Sequence, residues 1–358
     1  MKIIDGFDGF YAGKRVLVTG HTGFKGSWLS IWLREMGAEV VGIALEPYSA
    51  EDNYVLSGLK DKITDLRGDV RNGKLLKEVF DAHRPEIVFH LAAQPLVRLS
   101  YEIPAETYET NVMGTVNLME AIRVTESVRL GVMITTDKCY ENREQIWGYR
   151  ENEPMGGYDP YSSSKGSAEL AIASWRRSFF NPKNYEKHGK SLASARAGNV
   201  IGGGDRAADR IIPDCIRALE ADKAIEMRNP EAIRPWQHVL EPLSGYLLLA
   251  MKMWREPTVY CEGWNFGPAS ESIATVRDVA TKVAKHYGKG ELRDLSDPAA
   301  VHEAGLLMLD VSKAKFKLGW TPRLNLDQTV ALTVEWYKRY RNENAYELCV
   351  EQIRRYLQ

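Results

Sequence analysis

Lys14-Arg-Val-Leu-Val-Thr-Gly-His-Thr-Gly-Phe-Lys-Gly26 is the stretch of sequence that decides the fold. Its first half is a β-branched, apolar run that predicts a strand ending at Gly20. Apolar residues at helical spacing from Ser27 to Met36 predict a helix, and Gly37 is a typical C-cap for it. The intervening glycines allow a tight turn whose backbone can approach a pyrophosphate, and the helix N-terminus offers N–H groups to its charge. The alternative, an ordinary glycine-rich turn, is disfavoured by the flanking strand and helix.

The second predicted strand, Glu39 to Leu45, lacks the acidic end residue that usually binds the adenosine ribose of NAD. Ala44 and Leu45 stand there, and Glu46 comes later. No arginine follows to bind the 2′-phosphate of NADP, which Glu46 would repel, so NAD is favoured and NADP is not excluded. After a third short strand, Asp69 is either an acceptor for the adenine amino group or a solvated loop carboxylate.

Two further buried strands are predicted, at Glu86 to Ala93 and at Val128 to Thr135, with a helix from Thr107 to Val124 between them. Alternating buried strands and helices with short connections predict a parallel sheet covered on both faces. Ligands bind beyond the carboxyl ends of the strands in such a sheet. The triplet Thr136-Asp137-Lys138 directly follows the last of these strands and is therefore predicted to carry chemistry. The alternative is a turn of solvated charges.

A tyrosine and a lysine are spaced to act together on one helix face. Pro160 precedes Tyr161, Lys165 follows four residues later, and apolar residues continue the helix to Phe179. A lysine close to a tyrosine stabilises the phenolate, which makes the tyrosine a usable base near neutral pH. This spacing is common by chance, but it is much less so after a nucleotide-binding loop and a polar strand end.

The glycine spacing of three and three and the motifs that follow resemble the extended short-chain dehydrogenase/reductases that modify nucleotide sugars. The resemblance runs nearly end to end, and its most specific stretches are Thr19–Gly26, His90–Arg98, Thr136–Tyr140, Tyr149–Pro154, Arg196–Asp205 and Ile233–His238. Dehydratases of this family that act on dTDP-glucose or GDP-mannose carry Asp-Glu where this chain has Asp137-Lys138. That difference makes the chain similar to the subfamily that takes CDP-glucose.

The resemblance implies an α/β fold with a Rossmann-type doubly wound parallel sheet and a smaller, discontinuous C-terminal substrate-binding domain. We expect residues 1–198 to form the NAD-binding domain and residues 199–358 to form mainly the substrate-binding domain. A later return to the sheet is expected near residues 237–254. Helices at Ile211 to Glu220 and at Pro242 to Trp254 are predicted within the second part.

The motifs and the resemblance together assign the candidate site residues. The catalytic set is Thr136, Asp137, Lys138, Tyr161 and Lys165. The cofactor-binding set is Gly20, Thr22, Gly23, Phe24, Lys25, Gly26, Asp69, Val70, Leu91, Ala92, Ala93, Asn111, Tyr161 and Lys165. The substrate-binding set, carried over from the resemblance, is Gln94, Arg98, Asn199, Arg234, Trp236, His238 and Asn265. For any one of the last set, the alternative is a surface charge or a capped turn.

The expected reaction is an NAD-dependent dehydration of CDP-glucose to its 4-keto-6-deoxy derivative. Tyr161 accepts the proton of the 4-hydroxyl beside Thr136, hydride leaves C4, and the resulting ketone acidifies the C5 proton. Lys138, if deprotonated, removes that proton, and Asp137, if protonated, assists loss of the 6-hydroxyl before hydride returns to C6. The rivals are another nucleotide-sugar dehydratase or a 4-epimerase of the same fold, and a non-catalytic dinucleotide-sensing regulator.

Composition fits a chain with a small-molecule substrate. The 358 residues carry a formal net charge of −1, so neither nucleic acid nor a membrane surface is expected as a partner. The apolar windows are too short to span a bilayer and the first ten residues are unlike a signal peptide, so we expect a cytoplasmic protein. The four cysteines and seven histidines are scattered, and no metal site is predicted. The family resemblance implies a homodimer or a homotetramer.

Overall fold

The computed structural model describes residues 6–269, 272–296 and 305–358, and a seven-stranded parallel sheet forms its centre. Along the sheet the order is β11, β6, β5, β4, β1, β2 and β3, with every neighbouring pair parallel. These strands are β1 Arg15–Thr19, β2 Glu39–Ala44, β3 Thr64–Arg67, β4 Ile87–His90, β5 Leu130–Ile134, β6 Ser191–Ala197 and β11 Gly263–Phe266. The order reverses between β1 and β4, so the predicted doubly wound Rossmann-type sheet is confirmed.

Helices cover both faces of the sheet. They are α1 Phe24–Glu35, α2 Asn53–Leu56, α3 Gly73–His83, α4 Val97–Glu102, α5 Pro104–Tyr108, α6 Gly114–Val124, α7 Pro160–Ser178, α8 Tyr185–His188, α9 Ile211–Glu220, α10 Leu240–Arg255, α11 Val276–Tyr287, α12 Leu326–Arg339 and α13 Ala345–Leu357. One core cluster joins one face of the sheet to α1, α10, α12 and α13, and another joins the opposite face to α3, α6 and α7. The helix expected over residues 107–124 is interrupted by a π-helical turn at Glu109–Met113.

Short strand pairs stand beside the sheet in the carboxyl-terminal part of the chain. They are β7 Val200–Ile201 with β10 Gln237–His238, β9 Ile233–Pro235 with β12 Ile273–Thr275, and β8 Ile225–Met227 with β13 Leu292–Asp294. Helices α9 and α11 pack against each other near β8. Within the described part of the chain, no helix is both long and apolar enough to cross a membrane.

The return of the chain to the sheet lies later than expected. Residues 237–254 were expected to return to it, but apart from β10, which pairs outside the sheet, they form most of α10. That helix packs on β5 and β6 as a covering layer. The strand that joins the edge is β11, which pairs with β6. The proposed division between residues 198 and 199 therefore has α10, β11 and α13 packed with the first part of the chain.

Candidate functional site

The glycine turn lies where β1 meets α1, as predicted. Gly20 has φ +73°, and a Cβ there would lie 2.7 Å from the backbone nitrogen of Ala92. A Cβ at Gly26 would collide with the carbonyl oxygen of Gly20. These two positions let β1, α1 and the end of β4 approach one another closely. Gly23 is the N-cap of α1 and has no side chain with which to cap it, so the first N–H groups of the helix stay available to an anion.

An arginine reaches the end of β2, which corrects the expectation that none is available there. Arg67 is paired in register with Ala44, and its guanidinium donates to Glu46 at 3.0 Å, Asp65 at 2.8 Å and the Tyr54 hydroxyl at 2.6 Å. The residues that follow β2 in the sequence do not reveal this arginine, because it comes from the neighbouring strand β3. Since two carboxylates bind its guanidinium, its charge is already matched within the protein.

Asp69, the proposed adenine contact, is bound by a neighbour in the structure. Its carboxylate accepts hydrogen bonds from the backbone and guanidinium of Arg71, which hold its pKa below the usual value. Val70 is buried and packs beside Gly114, so it can meet a ligand only through its backbone. The contact of either residue with a cofactor stays a prediction.

A cavity of about 630 Å³ opens at the carboxyl ends of the central strands. From the predicted site it is lined by Phe24, Lys25, Arg98, Thr136, Asp137, Lys138, Tyr161, Asn199, Arg234 and Trp236. A second cavity, of about 720 Å³, lies at the opposite edge, where β1, β2 and β3 begin, and none of the predicted site residues lines it. The polar residues are thus gathered at the edge where parallel sheets bind ligands.

The triplet Thr136-Asp137-Lys138 begins a short 3₁₀ turn after β5. Asp137 is 1% exposed, and burial raises its pKa above the usual value for a carboxyl group. Its Oδ1 accepts a hydrogen bond of 2.9 Å from the Thr136 hydroxyl, and its Oδ2 is buried with no partner in the structure. A buried carboxyl group whose pKa is raised in this way holds a proton more readily than an exposed one and can donate it to a ligand in the cavity.

Tyr161 and Lys165 lie one turn apart on α7 and are both buried. Burial raises the pKa of Tyr161 to about 12, and a hydrogen bond with the Thr136 side chain acts in the opposite direction. Burial lowers the pKa of Lys165 to about 8. The Lys165 ammonium donates to the Ile134 carbonyl oxygen at 3.4 Å, at the end of β5. The predicted pair is therefore brought to the same strand end as the triplet.

Two predicted ligand-binding residues use their side chains for hydrogen bonds within the protein. Gln94 exchanges hydrogen bonds with Leu96 and donates to Thr107. Asn111 bonds both backbone groups of Gln94 and donates to the Ser164 hydroxyl on α7 at 2.9 Å. Gln94 therefore ties the loop after β4 to α5, and Asn111 ties the same loop to α7.

The structure does not place His238 and Asn265 on the cavity, which corrects their assignment as substrate contacts. His238 is 0% exposed, it stands edge-on to the Trp28 ring, and burial lowers its pKa to about 3. Asn265 is also 0% exposed, and its amide joins Tyr140 to two backbone carbonyl groups. Motif position suggested a ligand contact, but both side chains are part of the core.

Several charged residues of the cavity were not predicted, among them Asp205 and Arg210. Arg210 donates to Asp205 at 2.8 Å, and its charge acts to lower the pKa values of both Lys25 and Tyr161. Burial lowers the pKa of Lys25 to about 8. Asp205 ends the Arg196–Asp205 stretch that carries the family resemblance, so that motif was the available signal. This part of the cavity wall therefore gains an ion pair that was not predicted, with no net change in its charge.

Comparison with known proteins places this geometry in a family. The family model described as GDP-mannose 4,6 dehydratase matches residues 17–333. A CDP-glucose 4,6-dehydratase of Salmonella typhimurium is 54% identical over 331 residues, 92% of each chain. A dTDP-glucose 4,6-dehydratase of Xanthomonas campestris is 25% identical over 90% of this chain and 92% of its own.

A solved structure supports the same placement. The UDP-glucose 4-epimerase of Thermus thermophilus in complex with NAD is 25% identical and has a TM-score of 0.77, covering 90% of this chain and 99% of its own. With a family model that spans most of the described chain and a relative of this identity, the chain belongs to the GDP-mannose 4,6 dehydratase family.

Proposed function

We propose that this chain is an NAD-dependent CDP-glucose 4,6-dehydratase, which converts CDP-glucose into the 4-keto-6-deoxy sugar nucleotide. The observation that carries the proposal is the single cavity that brings Thr136, Asp137, Lys138 and Tyr161 together beside the glycine turn. The 54% identity to an enzyme of that name supports the choice of substrate. A dehydratase requires a base at O4 and a separate acid and base at C5 and C6, and this cavity offers all three.

The residues of the glycine turn fit a dinucleotide. Gly23 leaves the N-terminus of α1 uncapped, and the half-buried Lys25 lies at the same end of the helix. These groups would hold the pyrophosphate, while Tyr161 and Lys165 would stand beside the nicotinamide. The chemistry supplied by NAD bound there would be hydride transfer, from C4 of the sugar and back to C6. The Arg67 guanidinium already donates to the Glu46 carboxylate, which would repel a 2′-phosphate, so NAD is preferred to NADP.

The side chains of the cavity divide the proton transfers between them. Tyr161 removes the proton of the 4-hydroxyl, which Thr136 orients through its hydrogen bonds. Asp137, kept protonated by burial, donates to the departing 6-hydroxyl. Lys138, which is half-buried at the same strand end, removes as its neutral amine the C5 proton that the 4-ketone has made acidic. Oxidation and elimination thereby use different residues.

Cations at the cavity wall account for recognition of a sugar nucleotide. Arg234 is 7% exposed, its guanidinium donates to the Ile233 and Gly305 carbonyl oxygens, and it lies near the Asp137 carboxyl group. Arg98 lies across the cavity, half-exposed. Guanidinium groups are suited to the two phosphates of CDP. Trp236 lines the same wall, although its indole N–H already donates to the Ala274 carbonyl oxygen.

A homodimer or homotetramer is proposed from the outer helices. Tyr101, Tyr108, Met113 and Leu170 are exposed on α4, α5, the π-helical turn and α7, which pack together at one side of the molecule. An apolar strip of this kind is suited to pairing with a second copy of the chain.

A panel of sugar nucleotides tests the proposed function. Purified protein with NAD is incubated with CDP-glucose, dTDP-glucose, UDP-glucose or GDP-mannose, and the products are identified by mass spectrometry and NMR. We expect a 4-keto-6-deoxy product from CDP-glucose, with kcat/KM at least about 100-fold above the others, since a wrong base leaves buried polar groups unpaired. A 4-epimer without loss of water would support the epimerase rival, and no turnover of any sugar would support the regulator.

A further inference from the structure

Glu169 is a buried carboxylate that the reaction scheme does not use. It lies on α7 one turn beyond Lys165 and is 3% exposed. Its Oε1 accepts a hydrogen bond of 2.5 Å from the Thr135 hydroxyl, and its Oε2 accepts bonds of 2.8 Å from the Ser194 hydroxyl and the Arg196 guanidinium. A buried ion pair adds little to stability, because desolvation of the two charges offsets their attraction. Stability alone therefore does not explain this carboxylate.

The partners of Glu169 connect it to the reacting groups. Thr135 immediately precedes the polar triplet at the end of β5, and Ser194 and Arg196 belong to β6. The carboxylate therefore ties the helix that carries Tyr161 to the strand end that carries Asp137. On the far side, Arg196 also donates to the Tyr140 hydroxyl at 2.6 Å, directly after the 3₁₀ turn.

The charge of Glu169 also bears on Lys165. Burial alone would raise the pKa of Glu169, but Arg196 and the two hydroxyl groups hold it below its usual value, so the group is a carboxylate. Burial lowers the pKa of Lys165, and the Glu169 charge is the largest influence that raises it.

The other ionisable groups around Lys165 do not replace that charge. Cys139 faces it from the 3₁₀ turn, and burial raises the pKa of this thiol well above its usual value, which keeps it neutral. His90 faces it from β4, with a pKa lowered by burial to about 3. Lys25 of α1 adds a positive charge nearby. Tyr161, on the same helix, carries a negative charge only as the phenolate, the form in which it accepts a proton.

We propose that Glu169 is a positioning residue that keeps Lys165 charged and holds α7 against the strand end carrying Asp137. Tyr161 can act as a base only while an ammonium stands beside it, and an isolated buried lysine tends to lose its proton. Glu169 opposes that loss. The proposal rests on the proposed function, because it assigns Glu169 a part in the oxidation of the sugar.

The pH dependence of kcat for CDP-glucose tests this role in Glu169→Gln. The ammonium of Lys165 is present below its pKa and is lost above it. Removal of a neighbouring carboxylate lowers that pKa, so the alkaline limb of the profile should move to lower pH by about one unit or more. At pH values above the alkaline limbs of both enzymes, kcat of the variant should be about tenfold below the parent value for each pH unit by which the limb has moved. KM for CDP-glucose should stay unchanged, because Glu169 does not line the cavity.

Two further variants separate this role from a purely structural one. Glu169→Gln leaves the Arg196 charge unpaired and can unfold the chain. The double variant Glu169→Gln with Arg196→Met is therefore measured as well, because it removes both charges. Ser194→Ala removes one hydrogen bond from Glu169 but keeps the carboxylate, and its alkaline limb should match that of the parent enzyme. A folded single or double variant with an unmoved limb would overturn the proposal. Absence of CDP-glucose turnover in the parent enzyme would instead overturn the proposed function.

Discussion

Tyr161→Phe should lose both half-reactions, with kcat for CDP-glucose reduced by about 10²–10⁴-fold. The change removes one hydroxyl group from a buried ring that lines the cavity beside Thr136. Without that hydroxyl no group on α7 accepts the 4-hydroxyl proton, so neither the 4-keto sugar nor reduced cofactor forms. The measurement is single-turnover absorbance of the nicotinamide, together with product analysis.

Folding and binding serve as controls for Tyr161→Phe. The phenyl ring fills the same space, and the backbone N–H of residue 161 keeps its bond to the Ser100 hydroxyl, so the melting temperature and the affinity for CDP-glucose should stay close to the parent values. Formation of reduced cofactor at the parent rate would show that another group is the base at O4.

Lys138→Ala should complete oxidation at C4 and then stop. Tyr161, Lys165 and Thr136 remain in place, so the 4-keto-6-hydroxy sugar accumulates on the enzyme, but no base removes the C5 proton. We expect overall turnover to fall by about 10²–10⁴-fold, while the absorbance of reduced nicotinamide appears on mixing. No hydrogen at C5 should exchange with deuterated water, which mass spectrometry of the recovered sugar measures.

Asp137→Asn is the matched comparison for Lys138→Ala. It keeps the size of the side chain and removes the acid, so oxidation and C5 exchange should both persist while loss of the 6-hydroxyl is slow. If Lys138→Ala exchanges the C5 hydrogen of the sugar with solvent as fast as the parent enzyme does, Lys138 is a positioning cation and another group is the base.

The sequence was a good guide to the centre of the fold because its signals there are strong and local. The β-branched run before Gly20 and the apolar run before Thr136 could only be buried strands, and the structure has both in the predicted sheet. The pairing of Tyr161 with Lys165 follows from helical spacing alone. Parallel topology then brings these separate segments to one edge, so the core of the site could be predicted without side-chain detail.

The errors come from contacts that depend on the tertiary structure. Strand β11 has only four residues, Gly-Trp-Asn-Phe, and two of them favour turns, so its place in the sheet is set by packing against β6. Arg67 reaches the end of β2 from the strand beside it, a neighbour that spacing along the chain does not reveal. Asn265 and His238 carry polar groups in short motifs, and the sequence alone does not show that both are enclosed in the core.

Transfer of the hydrogen at C4 tests the central claim most directly, which is that one cavity oxidises the sugar, eliminates water and reduces it again. CDP-glucose deuterated at C4 is incubated with the enzyme and NAD, and the product is examined by NMR and mass spectrometry. The account predicts that the deuterium appears at C6 of the 4-keto-6-deoxy product, with no net formation of NADH. NADH accumulating in proportion to product, with C6 carrying no deuterium, would contradict it and indicate a simple dehydrogenase.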